Sequence, residues 1–152
     1  MKHESLAAAC AIAAMLALSG CAPVVAPPGD SIDMPTLNGD TFLTRDGLRL
    51  PLRHWDSAHP RAVIVALHGM SDYSNAFDMP AAWWATKGIT TYAYDQRGFG
   101  KAPHPGIWPG GKALREDFAD CVAAARARDP GVPVFALGES MGGAVVLSSL
   151  AD

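Results

Sequence analysis

One serine stands in a spacing that chemistry can use. The apolar run Val132 to Leu137 leads straight into Gly138-Glu139-Ser140-Met141-Gly142, and Gly143-Ala144-Val145-Val146 follows. This is G-x-S-x-G in the strand–turn–helix setting that presents a nucleophile. The turn is strained, and side chains two positions either side of the serine would collide with it, so Gly138 and Gly142 remove those collisions. The turn lifts the Ser140 hydroxyl over the carboxyl ends of the strands. The helix that follows points its positive end at the site, where it favours a developing negative charge. The chemistry implied is nucleophilic attack on an acyl carbon. A serine hydroxyl is a weak nucleophile without a base, and the five histidines (3, 54, 59, 68 and 104) all precede Ser140.

The elements that must position this turn alternate. Asp46-Gly47 separates two strand-like runs, Thr41 to Arg45 and Leu48 to Trp55, which reads as a hairpin. Arg61 to Leu67 is continuously apolar after its leading arginine, as in a strand buried on both faces of a parallel sheet. Asp78 to Lys87 reads as a helix, with Pro80 in its first turn and Gly88 past its end. Ile89 to Tyr94 is rich in strand formers. Asp95 to Gly111 is a long Gly/Pro loop, a length that marks a functional or decorated segment. Lys112 to Arg128 is the clearest helix. Leu114, Phe118, Cys121, Val122 and Ala125 share one face, with Glu116 and Asp117 near its start and Arg126 and Arg128 near its end, as the helix dipole prefers. Val132 to Leu137 reads as a third buried strand and Met141 to Leu150 as a further helix. The expected class is α/β, with a parallel sheet, crossover helices and an amino-terminal hairpin.

Composition agrees with that class. The chain has 152 residues, 49% hydrophobic and 18% charged, with a net charge of −3. Those values exclude a disordered chain and give no electrostatic footprint for nucleic acid. No Cys or His cluster has metal-ligand spacing, and no cofactor or metal is expected.

The amino terminus reads as an address. Leu6 to Leu18 carries no charge. It is too short for a spanning helix, which needs roughly 20 residues, and suits the apolar core of a secretory signal. Leu18-Ser19-Gly20-Cys21 resembles the bacterial lipobox. The resemblance implies a signal peptide over 1–20, cleavage after Gly20 and a lipid on Cys21. The alternative is an ordinary secreted protein cut nearby. Ala22 follows Cys21, and the absence of Asp there favours the outer membrane, facing the periplasm. Residues 21–40, with Pro23, Pro27, Pro28 and Pro35, read as an extended tether. Once Cys10 leaves with the signal and Cys21 carries lipid, Cys121 stands alone and reads as a buried, inert thiol.

Two further motifs join the serine. His68-Gly69-Met70 follows the Arg61 to Leu67 run, and Asp95-Gln96-Arg97-Gly98-Phe99-Gly100 follows Ile89 to Tyr94. Together with Gly-Glu-Ser-Met-Gly these resemble the α/β-hydrolases, in the monoacylglycerol lipase/lysophospholipase branch, also called serine aminopeptidase-like hydrolases. The resemblance covers 41–152. It implies that the backbone amides of Met70 and Met141 form the oxyanion hole, that His68 is structural, and that Asp95 and Arg97 hold their loop. It also implies an acid and a histidine after the serine. Only Asp152 and no His follow, so the expectation is a domain cut after the nucleophile turn and inactive by itself. The implied reaction is hydrolysis of acylglycerol- or lysophospholipid-like esters through an acyl-enzyme. A peptidase or amidase of the same branch and an inert membrane-tethered fragment remain as alternatives.

Overall fold

The computed structural model describes residues 24–151. The signal peptide expected over 1–20, Cys21 and Asp152 lie outside the described residues. Six strands form one sheet: β1 (Thr36–Asn38), β2 (Thr41–Leu43), β3 (Arg49–Trp55), β4 (Ala62–Leu67), β5 (Ile89–Tyr94) and β6 (Val134–Gly138). Their spatial order is β1-β2-β3-β5-β4-β6. The first three are antiparallel, β3 meets β5 antiparallel, and β5, β4 and β6 run parallel. Helix α1 (Asp78–Ala85) follows a 3-10 turn at Ser74–Phe77, and α2 (Gly111–Arg128) and α3 (Met141–Leu150) follow β5 and β6. The parallel strands are connected through helices, as parallel pairing requires.

Two hydrophobic layers flank the sheet. The larger holds Phe42, Leu50, Val63, Val65, Tyr92 and Tyr94 under Leu114, Phe118, Cys121 and Ala125 of α2 and Val145 and Val146 of α3. The smaller holds Ala66 and Ala93 under Phe77 and Ala81. The helical stripe expected on α2 is therefore the face that packs. Val122 is only partly buried at its margin.

Three expectations change. The hairpin is shorter on its first arm, because Thr44 turns its hydroxyl and backbone into the Asp46-Gly47 turn: Leu48 N donates to Thr44 Oγ1 at 3.0 Å and Thr44 Oγ1 donates to Asp46 Oδ1 at 2.5 Å. Residues 24–40 are not an element-free leash. β1 pairs with β2, and Ile32 and Asp33 amides donate to Arg45 O at 2.8 and 2.9 Å. The prolines conceal this, because Thr36–Asn38 is too short to show alternation. Finally, the strand at 132–137 is not buried on both sides. β6 lies at the sheet edge among the described residues, with Phe135 58% and Leu137 37% exposed.

Candidate active site

The carboxyl ends of the three parallel strands carry the three motifs side by side. β6 ends in Gly138, and Ser140 stands between it and α3 with φ 49° and ψ −111°. Such a conformation costs a non-glycine residue about 1–3 kcal/mol. The surrounding backbone imposes it. Glu139 N donates to Leu67 O at 3.0 Å, Gly142 N to Glu139 O at 2.8 Å, and Ala144 N to Ser140 O at 3.0 Å. The two glycines have separate reasons. A Cβ on Gly138 would lie 2.5 Å from the backbone of Gly142 and Gly143, inside the first turn of α3. A Cβ on Gly142 would run into the carbonyl of Leu67 on β4. The collisions avoided are thus with helix and strand backbone rather than with the serine itself.

Ser140 is exposed, and its hydroxyl has no hydrogen-bond partner among the described residues. Opposite it lies the turn after β4. A Cβ on Gly69 would sit 3.5 Å from Ser140 Cβ. Met70 follows on this turn and Met141 opens α3. Among the described residues no acceptor takes the amide hydrogen of either. Two unengaged N–H groups beside an exposed hydroxyl can stabilise a tetrahedral oxyanion.

His68 is fully buried, and both ring nitrogens are occupied. Nδ1 lies 2.7 Å from Gly69 O, and Nε2 accepts from Gln96 N at 3.0 Å. This fixes the proton on Nδ1, and burial lowers the tendency of the ring to take a second. Gln96 Nε2 returns a bond to His68 O at 2.8 Å. His68 therefore ties the end of β4 to the end of β5 and offers Ser140 no base. His54 cannot substitute. It lies on β3, three strand spacings from β6, or about 14 Å at the usual separation, and its Nδ1 faces Asp56 Oδ2 at 2.9 Å.

The loop after β5 is held by its own acids. Asp95 accepts from Ser74 N at 2.9 Å, Ser74 Oγ at 2.6 Å and Lys101 N at 2.8 Å. Gly100 is needed because a Cβ there would meet the Asp95 carboxylate. Arg97 is buried between two carboxylates. It donates to Asp117 Oδ2 and Oδ1, both at 2.7 Å, and to Asp46 at 2.7 and 2.6 Å. Burial pushes Asp46 up, but the bonds from Arg97, Thr44 and Gly29 outweigh it and hold the carboxyl well below its usual range. Asp117 goes the other way, to about 6, because burial outweighs its share of a guanidinium that also serves Asp46. The sequence predicts a helix-dipole charge at Asp117, and the structure makes it part of a buried cluster. Asp120 is similar: it pairs with Arg45 through Nε at 3.0 Å and accepts Arg45 N at 3.0 Å. The burial of Cys121 raises its thiol far above the usual range. Among the described residues no group of His, Cys, Asp and Glu converges as metal ligands.

A parallel sheet entered by an antiparallel hairpin, with a serine on a left-handed turn after a strand, is the architecture of the α/β-hydrolases, of which this chain shows an amino-terminal half. The chain belongs to the family described as serine aminopeptidase, S33, whose profile matches residues 58–152. It is 30% identical over 122 residues to a monoacylglycerol lipase of Mycolicibacterium smegmatis, a match covering 74% of this chain and 41% of that protein. Its fold resembles a soluble variant of monoglyceride lipase from Saccharomyces cerevisiae (TM-score 0.56, 24% identity, 80% of this chain and 40% of that one). It also resembles a thermostable carboxyl esterase from Bacillus coagulans (TM-score 0.65, 22% identity, 73% of this chain and 38% of that one). The chain thus spans well under half the length of each. The resemblance read from the three motifs and the matched family coincide.

Proposed function

We propose that this chain carries the nucleophilic part of a serine hydrolase for carboxylic esters, with acylglycerol- or lysophospholipid-like substrates. The observation that supports it most is the exposed Ser140 on its strained turn, close against Gly69 and flanked in the chain by Met141, with the amides of Met70 and Met141 unengaged among the described residues. Ser140 Oγ attacks the acyl carbonyl and gives its proton to an imidazole base. The two amides donate to the oxyanion. Collapse expels the alcohol, which takes that proton, and water then releases the acyl group from Ser140. The base is a residue other than His68, and residues 1–152 offer no histidine after the serine. Turnover therefore depends on a base that these residues do not supply. In this reading Cys21 carries a lipid that holds the protein to the bacterial envelope, at the periplasmic face of the outer membrane. Among the described residues no helix is long and apolar enough to cross a membrane.

A fluorophosphonate probe and a p-nitrophenyl ester test the reaction. In a longer form of the protein that supplies the base, loss of both labelling and turnover in Ser140→Ala supports the assignment, and wild-type turnover that survives that substitution refutes it. The family's description favours a second reading, an aminopeptidase. Faster cleavage of an aminoacyl anilide than of the ester would select it. An inert fragment is the reading favoured by the absence of a histidine after Ser140 in residues 1–152, and a wild-type chain that fails to label would support that.

A further inference from the structure

The described residues before β1, from 24 onward, are fastened to the domain along a defined line. Val25 forms a parallel bridge with Trp108, and Ala26 N donates to Trp108 O at 3.1 Å. Gly29 N donates to Asp46 Oδ2 at 2.8 Å, on the same oxygen that Arg97 Nη1 reaches. Ile32 and Asp33 amides then bond to Arg45 O. The strap therefore crosses the long loop after β5 and the Asp46-Gly47 turn before β3. Both lie at the end of the sheet where β5, β4 and β6 finish, because β3 runs antiparallel to β5. Ser140 stands on that same rim.

The start of the strap leaves apolar side chains uncovered. Val24 is 73% exposed, Val25 43% and Trp108 39%. Cys21 is three residues before Val24, and three residues span at most about 10 Å. A lipid on Cys21 would thus enter a bilayer close beside Trp108, and a tryptophan with an apolar body and a polar N–H suits the headgroup level. We propose that Val24, Val25 and Trp108 form a membrane-contacting patch, and that the strap holds the rim bearing Ser140 against the bilayer instead of letting the domain swing on a leash. The occupant is the bilayer into which Cys21 is anchored, so the proposal rests on the lipid-anchor reading above.

Lipidated protein on phosphatidylcholine vesicles, with and without brominated acyl chains, tests it through tryptophan fluorescence. The expected result is quenching by the brominated lipid that falls at least twofold in Trp108→Phe. A protein that carries lipid and floats with the vesicles, yet shows equal quenching in wild type and Trp108→Phe, overturns the patch. Failure of Cys21 to take labelled fatty acid is seen separately and removes the ground of both readings. Ala26→Pro deletes the amide donated to Trp108. Vesicle binding should persist while Trp108 quenching drops, and quenching unchanged in that variant overturns the role of the strap.

Discussion

Asp117 is the residue whose chemistry the fold perturbs most measurably. It is buried on α2 against Arg97, which it shares with Asp46, and Asp120, Tyr94 and Cys121 lie close enough to bear on it. Its carboxyl moves from the usual 3.8 to about 6. The folded state then holds this proton more tightly than the unfolded state does. Its contribution to stability is fully present below the unfolded value and is lost as pH rises through 6. Each unit of that shift is worth about 1.4 kcal/mol, so the whole window carries about 3 kcal/mol. The perturbation is Asp117→Asn, which keeps the shape and removes the titration. Urea unfolding of both proteins at pH 8, 7, 6 and 5 gives the difference in stability at each pH. Wild type should gain on the variant by about 1 kcal/mol or more between pH 7 and pH 5. Asp46, held low, keeps its charge across this range and does not blur the result. A difference that stays flat from pH 8 to 5, or one in which wild type gains as pH rises, would refute the reasoning.

The nucleophile turn should be intolerant at Gly142. Gly142→Ala drives a methyl group into the Leu67 carbonyl, so thermal unfolding should show a loss of about 1–3 kcal/mol, the range of an overpacked core. Ser140→Gly should act in the opposite sense, relieving the positive φ and raising the melting temperature while removing fluorophosphonate labelling. Cys121 should resist iodoacetamide in the native protein and react in urea, as read on its own peptide by mass spectrometry. Phe135→Lys at the sheet edge should reduce self-association in light scattering and change unfolding stability by no more than about 0.5 kcal/mol, as exposed positions do.

The parts of the fold legible in the sequence are those where one strong pattern acts over several residues. A continuous apolar run marks β4, strand-forming residues mark β5, helical spacing marks the packed face of α2, and the glycines around Ser140 mark the turn. The places where sequence reading went astray depend on partners distant along the chain. Asp120 meets Arg45 75 residues away, and Arg97 meets Asp46 51 residues away. A carboxylate on a helix reads as solvated until its cation is placed over it. β1 is hidden because its three residues pair only with the equally short β2, and the strap because its hydrogen bonds go to Arg45, Asp46 and Trp108, none of which announces itself as an acceptor. The elbow glycines were legible as glycines, but which backbone they clear became visible only when β4 was laid against α3.

The place of β6 in the sheet also sets an order of assembly. β4 pairs with β5 across a gap such as Ala62 to Ile89, whereas it pairs with β6 across one such as Val63 to Val134. Closing the longer loop costs about 0.9 kcal/mol more in chain entropy if the intervening segment is unstructured. That disadvantage disappears once β5 and α2 have condensed onto β4, because they shorten the effective path. The strap's acceptors, Arg45, Asp46 and Trp108, all belong to segments that precede β6. In a chain growing from its amino terminus, every partner of the strap is therefore made before β6 and Ser140.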